Sequence, residues 1–171
     1  KTAALISEFP ALAEHLTSSS KVLDLACGTG RNGNWFLAQG CQVTFLDRDL
    51  SRLELQNISE KVERLEWDLE TDNPPTLPVN GYDVIIVFNY LHRPLFPQLI
   101  AAVKPGGLII YETFTRQQAT IGRPRNPSFL LKEAELKALF ANWRCLHYSE
   151  GLLGELTNAS YKAQIIAQKP L

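Results

Sequence analysis

The stretch VLDLACGTGRNGNWF, residues 22 to 36, constrains this chain more than any other. Val22, Leu23 and Leu25 read as a buried strand, and Asp24 sets a carboxylate among them. Gly28 and Gly30 let the backbone turn tightly and approach a ligand with no Cβ in the way. A helix opening at Arg31 then aims its first free N–H groups at the same space. Strand, glycine turn and helix in that order form a ligand site at the carboxyl edge of a parallel sheet.

The pattern on either side predicts how that sheet is built. Residues 2–16 place Leu5, Ile6, Phe9, Leu12 and Leu16 at helical spacing, and Pro10 predicts a kink or two short helices. Segment 1–17 is expected to pack on one side of the core or to lid the site. Arg31–Gln39 reads as the first crossover helix, stopped by Gly40. Strands follow at Cys41–Leu46 and Val62–Trp67, the latter short and charged and therefore near an edge. Leu50, Leu53, Leu55 and Ile58 predict a helix between them. Residues 82–88, YDVIIVF, form an apolar run suited to a strand covered on both faces. Leu95–Val103 reads as helix, Lys104–Gly107 as a sharp turn and Leu108–Phe114 as the fifth strand. A long loop, Thr115–Ser128, precedes an amphipathic helix at Phe129–Phe140. Trp143–Tyr148 and Ala159–Gln168 close the chain as an antiparallel hairpin. The expected fold is α/β: a doubly wound, seven-stranded, mostly parallel sheet with a C-terminal antiparallel hairpin, in one domain over residues 1–171.

Composition narrows the setting. Lys plus Arg number 17 against 18 Asp plus Glu, so the chain has no general attraction for nucleic acid or an anionic membrane, although a local basic patch stays open. No apolar run approaches the roughly 20 residues of a membrane helix, and no basic leader opens the chain. Cys27, Cys41 and Cys145 form no CxxC pair, which argues against zinc or a disulfide framework; Cys27 and Cys41 read as buried structural thiols, and the cytoplasm is the expected setting. With no Met and a start at Lys1, the chain is expected to continue N-terminally.

Gly28-Thr29-Gly30-Arg31-Asn32-Gly33 satisfies GxGxxG, and Asp47 ends the second strand where an acid would meet a ribose, so a dinucleotide must be weighed. Asp24 favours another ligand. An anionic pyrophosphate gains nothing from a nearby carboxylate, whereas a sulfonium cofactor with a cationic α-amino group does. Asp68, after the third strand, is placed to accept from an adenine amino group. Little chain follows the hairpin to hold a hydride acceptor.

DLACGTG resembles the glycine motif of class I S-adenosylmethionine-dependent methyltransferases. The similarity continues as LDRD, WDLE, YDVIIVFNYLH and KPGGLIIYETF, in the family's order and spacing over most of residues 20–115. The arginine and asparagine after the glycines look like the tellurite-resistance type within that superfamily. The resemblance implies that Asp24, Gly28 and Gly30 meet the methionine end of S-adenosylmethionine, with Ala26 and Asn32 also at the cofactor. It implies Asp47 on both ribose hydroxyls, Arg48 over the adenine, Asp68 and Leu69 at the adenine edge and face, and Phe88 and Asn89 near the methionine. The product would be S-adenosylhomocysteine.

Methyl transfer by in-line displacement draws on positioning and desolvation, and needs a base only when the acceptor must lose a proton. His92 and Glu112 are the candidate catalytic groups. Each has a plainer alternative, His92 as a helix-start residue and Glu112 as a carboxylate paired with an arginine. Tyr90, Tyr111, Arg123 and Arg125 are candidates for the acceptor. The expected partner is a small-molecule methyl acceptor, with no membrane and no metal, and the chain is expected to be a monomer or homodimer. RNA or protein methylation, a non-catalytic cofactor-binding regulator and an NAD-dependent oxidoreductase are the competing readings.

Overall fold

The computed structural model describes residues 1–171. Seven strands form one sheet: β1 (Lys21–Leu25), β2 (Gln42–Asp47), β3 (Val62–Glu66), β4 (Tyr82–Phe88), β5 (Val103–Phe114), β6 (Arg144–Leu153) and β7 (Ser160–Gln168). Their spatial order is β3-β2-β1-β4-β5-β7-β6. β1 to β5 run parallel, while β7 is antiparallel to both β5 and β6. β1 lies inside the sheet between β2 and β4 and sends Val22 to one face and Leu23 and Leu25 to the other, as period-2 alternation requires. β3 is an edge strand with mostly solvated side chains.

Both faces are covered. Helix α1 (Ala4–Ser7), the 3-10 turn Pro10–His15 and helix α2 (Arg31–Ala38) close one of them. There Ile6, Leu12 and Phe36 are fully buried with Val43, Phe45 and Ile86. Helices α3 (Phe96–Ala102) and α4 (Glu135–Leu139) lie on the other, where Leu99 and Leu136 meet Leu23, Ile85 and Ile109. The break at Pro10 follows the sequence expectation. Residues 1–17 pack beside α2, where the Ala3 N–H donates to Asn32 Oδ1 at 2.9 Å.

One expected helix is absent and another is shortened. Between β2 and β3 only a 3-10 turn, Leu50–Arg52, forms. Asn34 explains the difference: its amide donates to the Glu54 carbonyl at 2.8 Å and accepts from the Gln56 N–H at 3.4 Å. The Glu54 N–H donates in turn to the Thr29 carbonyl at 3.0 Å. This backbone is stitched to the glycine turn and α2, so Leu53 and Leu55 reach the core from an extended segment.

Phe129–Phe140 likewise shortens to α4. The Leu131 N–H donates to Phe114 O at 2.9 Å, and the Leu131 carbonyl accepts from the Arg116 N–H at 3.0 Å. Those groups are spent outside a helix. Leu130, Leu131, Leu136 and Phe140 are nonetheless buried. The sharp turn expected at Lys104–Gly107 is absorbed into β5 as a register shift against β4.

Candidate functional site

The carboxyl ends of β1, β2 and β4 open onto a cavity of about 660 Å³. Its floor is the turn after β1. Ala26 (φ +57°) and Gly28 (φ +55°) adopt left-handed conformations, and Asn89, leaving β4, does the same at φ +56°. For Ala26 that conformation is strained, and such strain gathers where a backbone is shaped around a ligand.

Asp24 is buried at the cavity floor, where one carboxylate oxygen accepts from the Gly33 N–H at 2.9 Å. Burial disfavours its charged form and pushes its pKa up to about 8, against the pull of that N–H and of Arg31 and with a further push from Asp47. An unfolded chain would release this proton near 3.8. Between these values the folded protein holds more protons than the unfolded one, so stability falls as pH rises through the window. The ligand-free protein should therefore melt at progressively lower temperature from pH 5 to about pH 8. Asp24→Asn, which keeps an acceptor for Gly33, should remove that part of the slope. Parallel melting curves for the two proteins across this range would refute the assignment.

Asp47 ends β2 with its carboxylate tied to the turn: one oxygen accepts from the Gly28 N–H at 2.9 Å, the other from the Asp49 N–H at 3.2 Å. Asp68 is exposed and accepts from the Glu70 N–H at 2.9 Å, which is the turn-capping role open to any Asp before a loop. Leu69 beside it is buried. Asp24, Ala26, Gly28, Asn32, Asp47, Arg48, Asp68, Leu69, Phe88, Asn89 and Tyr90 all line the one cavity. Gly30 lies behind it: a Cβ there would come within 2.5 Å of Leu53.

The remaining candidates fall elsewhere. Glu112 accepts from Gln164 Nε2 at 2.7 Å and sits 3.6 Å from Lys162 Nζ, so it pairs across to β7 with a lysine and not an arginine. Tyr111 is buried and donates to the Tyr90 carbonyl at 2.7 Å, shaping the wall behind its neighbour. Burial is the main cause that raises the pKa of both tyrosines, so neither is a ready base. His92 stands 3.6 Å from Glu70 and does not line the cavity. Arg123 and Arg125 are exposed and also off its lining. Its partners on β7 hold Glu112 aside, and the loop presents Pro124 inward in place of its flanking arginines.

Other lining residues were not singled out from the sequence. Thr29 and Arg31 belong to the turn already flagged, Trp67 and Glu70 flank Asp68, and Thr113 and Phe114 end β5. Pro124 and Phe129 come from the long loop, whose length was its only signal. Arg93 gave none. Its guanidinium donates twice to Glu135 at 2.8 Å and once to the Leu130 carbonyl at 2.9 Å, fastening the Phe129 segment to the chain leaving β4. Of the cysteines, Cys27 lines the cavity, Cys41 is buried and Cys145 is exposed; all three are free.

The model of the family described as tellurite resistance protein TehB matches residues 3–169. A Haemophilus influenzae protein named as a probable S-adenosyl-L-methionine-dependent methyltransferase TehB is 31% identical over 171 residues, covering 92% of this chain and 57% of its own. The chain thus spans little more than half the length of that curated relative. The crystal structure of TehB from Haemophilus influenzae superposes with a TM-score of 0.75 at 24% identity, over 98% of this chain and 63% of that one. A Burkholderia thailandensis 1,6-didemethyltoxoflavin-N1-methyltransferase, solved with bound 1,6-didemethyltoxoflavin and S-adenosylhomocysteine, gives a TM-score of 0.67 at 20% identity, over 100% of this chain and 80% of that one.

Proposed function

The chain belongs to the TehB family, and we propose that it is an S-adenosylmethionine-dependent methyltransferase acting on a small-molecule acceptor. The observation that carries this reading is the buried Asp24 carboxylate under the glycine turn, on the same cavity as Asp47 and Asp68. A buried carboxyl with one backbone donor is matched to a cationic ligand group, since a charged partner recovers what desolvation costs. The cofactor's α-amino group is such a partner, and a pyrophosphate is not.

The residues fit the cofactor along its length. Asp24, Ala26, Gly28 and Asn32 would hold the methionine portion, with Arg31 at the cavity wall available to its carboxylate. Asp47 would accept from the ribose hydroxyls, and Arg48, Asp68 and Leu69 would meet the adenine. When bound, the sulfonium supplies a methyl group already activated for displacement. What the chain adds is orientation and the exclusion of water, and the walls formed by Phe88, Leu91 and Phe129 serve the second.

The same reading takes residues 1–171 as one methyltransferase domain, working in the cytoplasm as a monomer or homodimer. The three free cysteines support a reducing setting, and no helix is long and apolar enough to cross a membrane.

Calorimetric titration tests the proposal. S-adenosylhomocysteine should bind at one site, and NAD should not compete. Because Asp24 must give up its proton to pair with an ammonium group, binding near neutral pH should release protons, seen as a dependence of the enthalpy on the buffer. Tighter binding of NAD would overturn the reading.

A further inference from the structure

We propose that the Ala3 N–H, by fixing the amide of Asn32, couples the N-terminal segment to the amino-acid end of the bound cofactor. Asn32 then donates to the cofactor's carboxylate, and Ala3 is the positioning residue behind it. This rests on the methyltransferase reading, which gives the ends of β1 to β3 to the cofactor and leaves the end toward β4 and β5 for the acceptor.

Asn32 is 5% exposed and lines the cavity, next in sequence to Gly33, whose N–H is bonded to Asp24. The orientation of its amide is set. The Ala3 N–H lies 2.9 Å away and requires an acceptor, so Oδ1 faces Ala3 and Nδ2 is turned from it. That nitrogen has no partner in the chain, yet it is not sealed from open space. The geometry thus opens the two amide donors on the cavity that Asn32 lines.

Arg31 is braced from the same side. Its Nη1 donates to the Lys1 carbonyl at 3.0 Å, and the Thr2 hydroxyl donates to the Arg31 carbonyl at 3.4 Å. Residues 1–3 do not line the cavity, but they hold the two side chains that open α2, and both of those do. The segment is anchored in turn by Leu5 and Ile6, buried in the core on that face.

The cofactor's α-amino and carboxylate groups share one carbon, so an ammonium at Asp24 brings the carboxylate beside the start of α2. A carboxylate only accepts, and needs donors to replace its water. Asn32 Nδ2 supplies one, and the Arg31 N–H groups not spent on Lys1 supply charge. Without the Ala3 bond the amide is free to turn, and Oδ1 can face the anion. By reciprocity, a carboxylate that fixes this amide favours the docked state of Ala3 and α1.

The test compares S-adenosylhomocysteine with methylthioadenosine, which keeps the adenine, ribose and sulfur but lacks the amino-acid end. Ala3→Pro removes the N–H at a φ of −62°, which proline adopts. By calorimetry it should weaken S-adenosylhomocysteine about tenfold and leave methylthioadenosine unchanged. Asn32→Asp keeps an acceptor for Ala3 but sets a second carboxylate oxygen where the donors were. It should lower the ratio of the two affinities by about thirtyfold. In the unaltered chain, S-adenosylhomocysteine should slow hydrogen exchange at the Ile6, Ser7 and Glu8 N–H groups, and methylthioadenosine should not. Should Ala3→Pro fail to fold, the other two measurements decide. Asn32→Asp binding S-adenosylhomocysteine as tightly as the parent, relative to methylthioadenosine, would overturn the inference. So would equal losses for both ligands in Ala3→Pro, or exchange that S-adenosylhomocysteine does not slow. Failure of the parent chain to bind S-adenosylhomocysteine removes the methyltransferase reading and this inference with it.

Discussion

An Asp47→Ala chain should bind S-adenosylhomocysteine about a hundredfold more weakly than the parent, with the loss read directly by calorimetry. Two ribose hydroxyls donating to one carboxylate are charge-assisted bonds, each contributing roughly 1.5–3 kcal/mol, so removing the acceptor costs about 3 kcal/mol or more. The carboxylate also organises the site before any ligand arrives, because it holds the Gly28 and Asp49 N–H groups. Asp47→Asn separates the two contributions. It keeps an acceptor for one of those N–H groups but loses the charge, and should recover only a small part of the affinity. An affinity unchanged in Asp47→Ala would refute the ribose assignment.

Gly33→Ala should have the largest effect on the fold itself. A Cβ at this position would stand 2.4 Å from a Phe45 ring carbon and 2.7 Å from Asp24 Oδ2. Phe45 is fully buried and Asp24 nearly so, which leaves neither side chain room to retreat. Overpacking of this kind costs about 3 kcal/mol, enough to lower the melting temperature by about 10 °C in a chain this size. The same push separates Asp24 from the Gly33 N–H, so cofactor binding should be lost alongside stability. Thermal unfolding of the purified variant checks the first effect, and titration below its midpoint checks the second. A melting temperature within a degree or two of the parent would show that α2 can shift away from β2.

Gly33 also shows where the sequence is informative. It closes the GxGxxG pattern where helix meets sheet, and the contact is local: α2 lies against β1 and β2, the strands on either side of it in sequence. β4 was plain for a similar reason, since a strand buried on both faces writes a continuous apolar run, and β3 betrayed its edge position by its charges. The half of the cavity at the ends of β1, β2 and β3, which we assign to the nucleoside, could be traced in the sequence because it is assembled from strand ends and the turns directly after them. The loss of one helix and the shortening of another were hidden by bonds from distant residues. Asn34 holds Glu54 and Gln56 from another element, and Leu131 spends its N–H and carbonyl on the end of β5 and the loop after it. The acceptor half was obscured in the same way. Whether Glu112, Arg93 or Lys162 faces the cavity depends on pairs formed across the sheet or between loops, and neither spacing nor alternation reveals the partner.

The position of β7 bears on how the protein is made. Last of the seven strands in sequence, it is an inner strand in space, inserted between β5 and β6. During synthesis β1 to β5 can assemble as they leave the ribosome, but the free edge of β5 stays bare until β7 has emerged. That edge includes the apolar stretch Leu108–Tyr111, a surface on which two nascent chains could pair with each other. β6 waits for β7 as well, since β7 is its neighbour in the sheet. Completion of the sheet therefore waits for β7, and a chain interrupted before Ser160 is an aggregation-prone species for chaperones to manage.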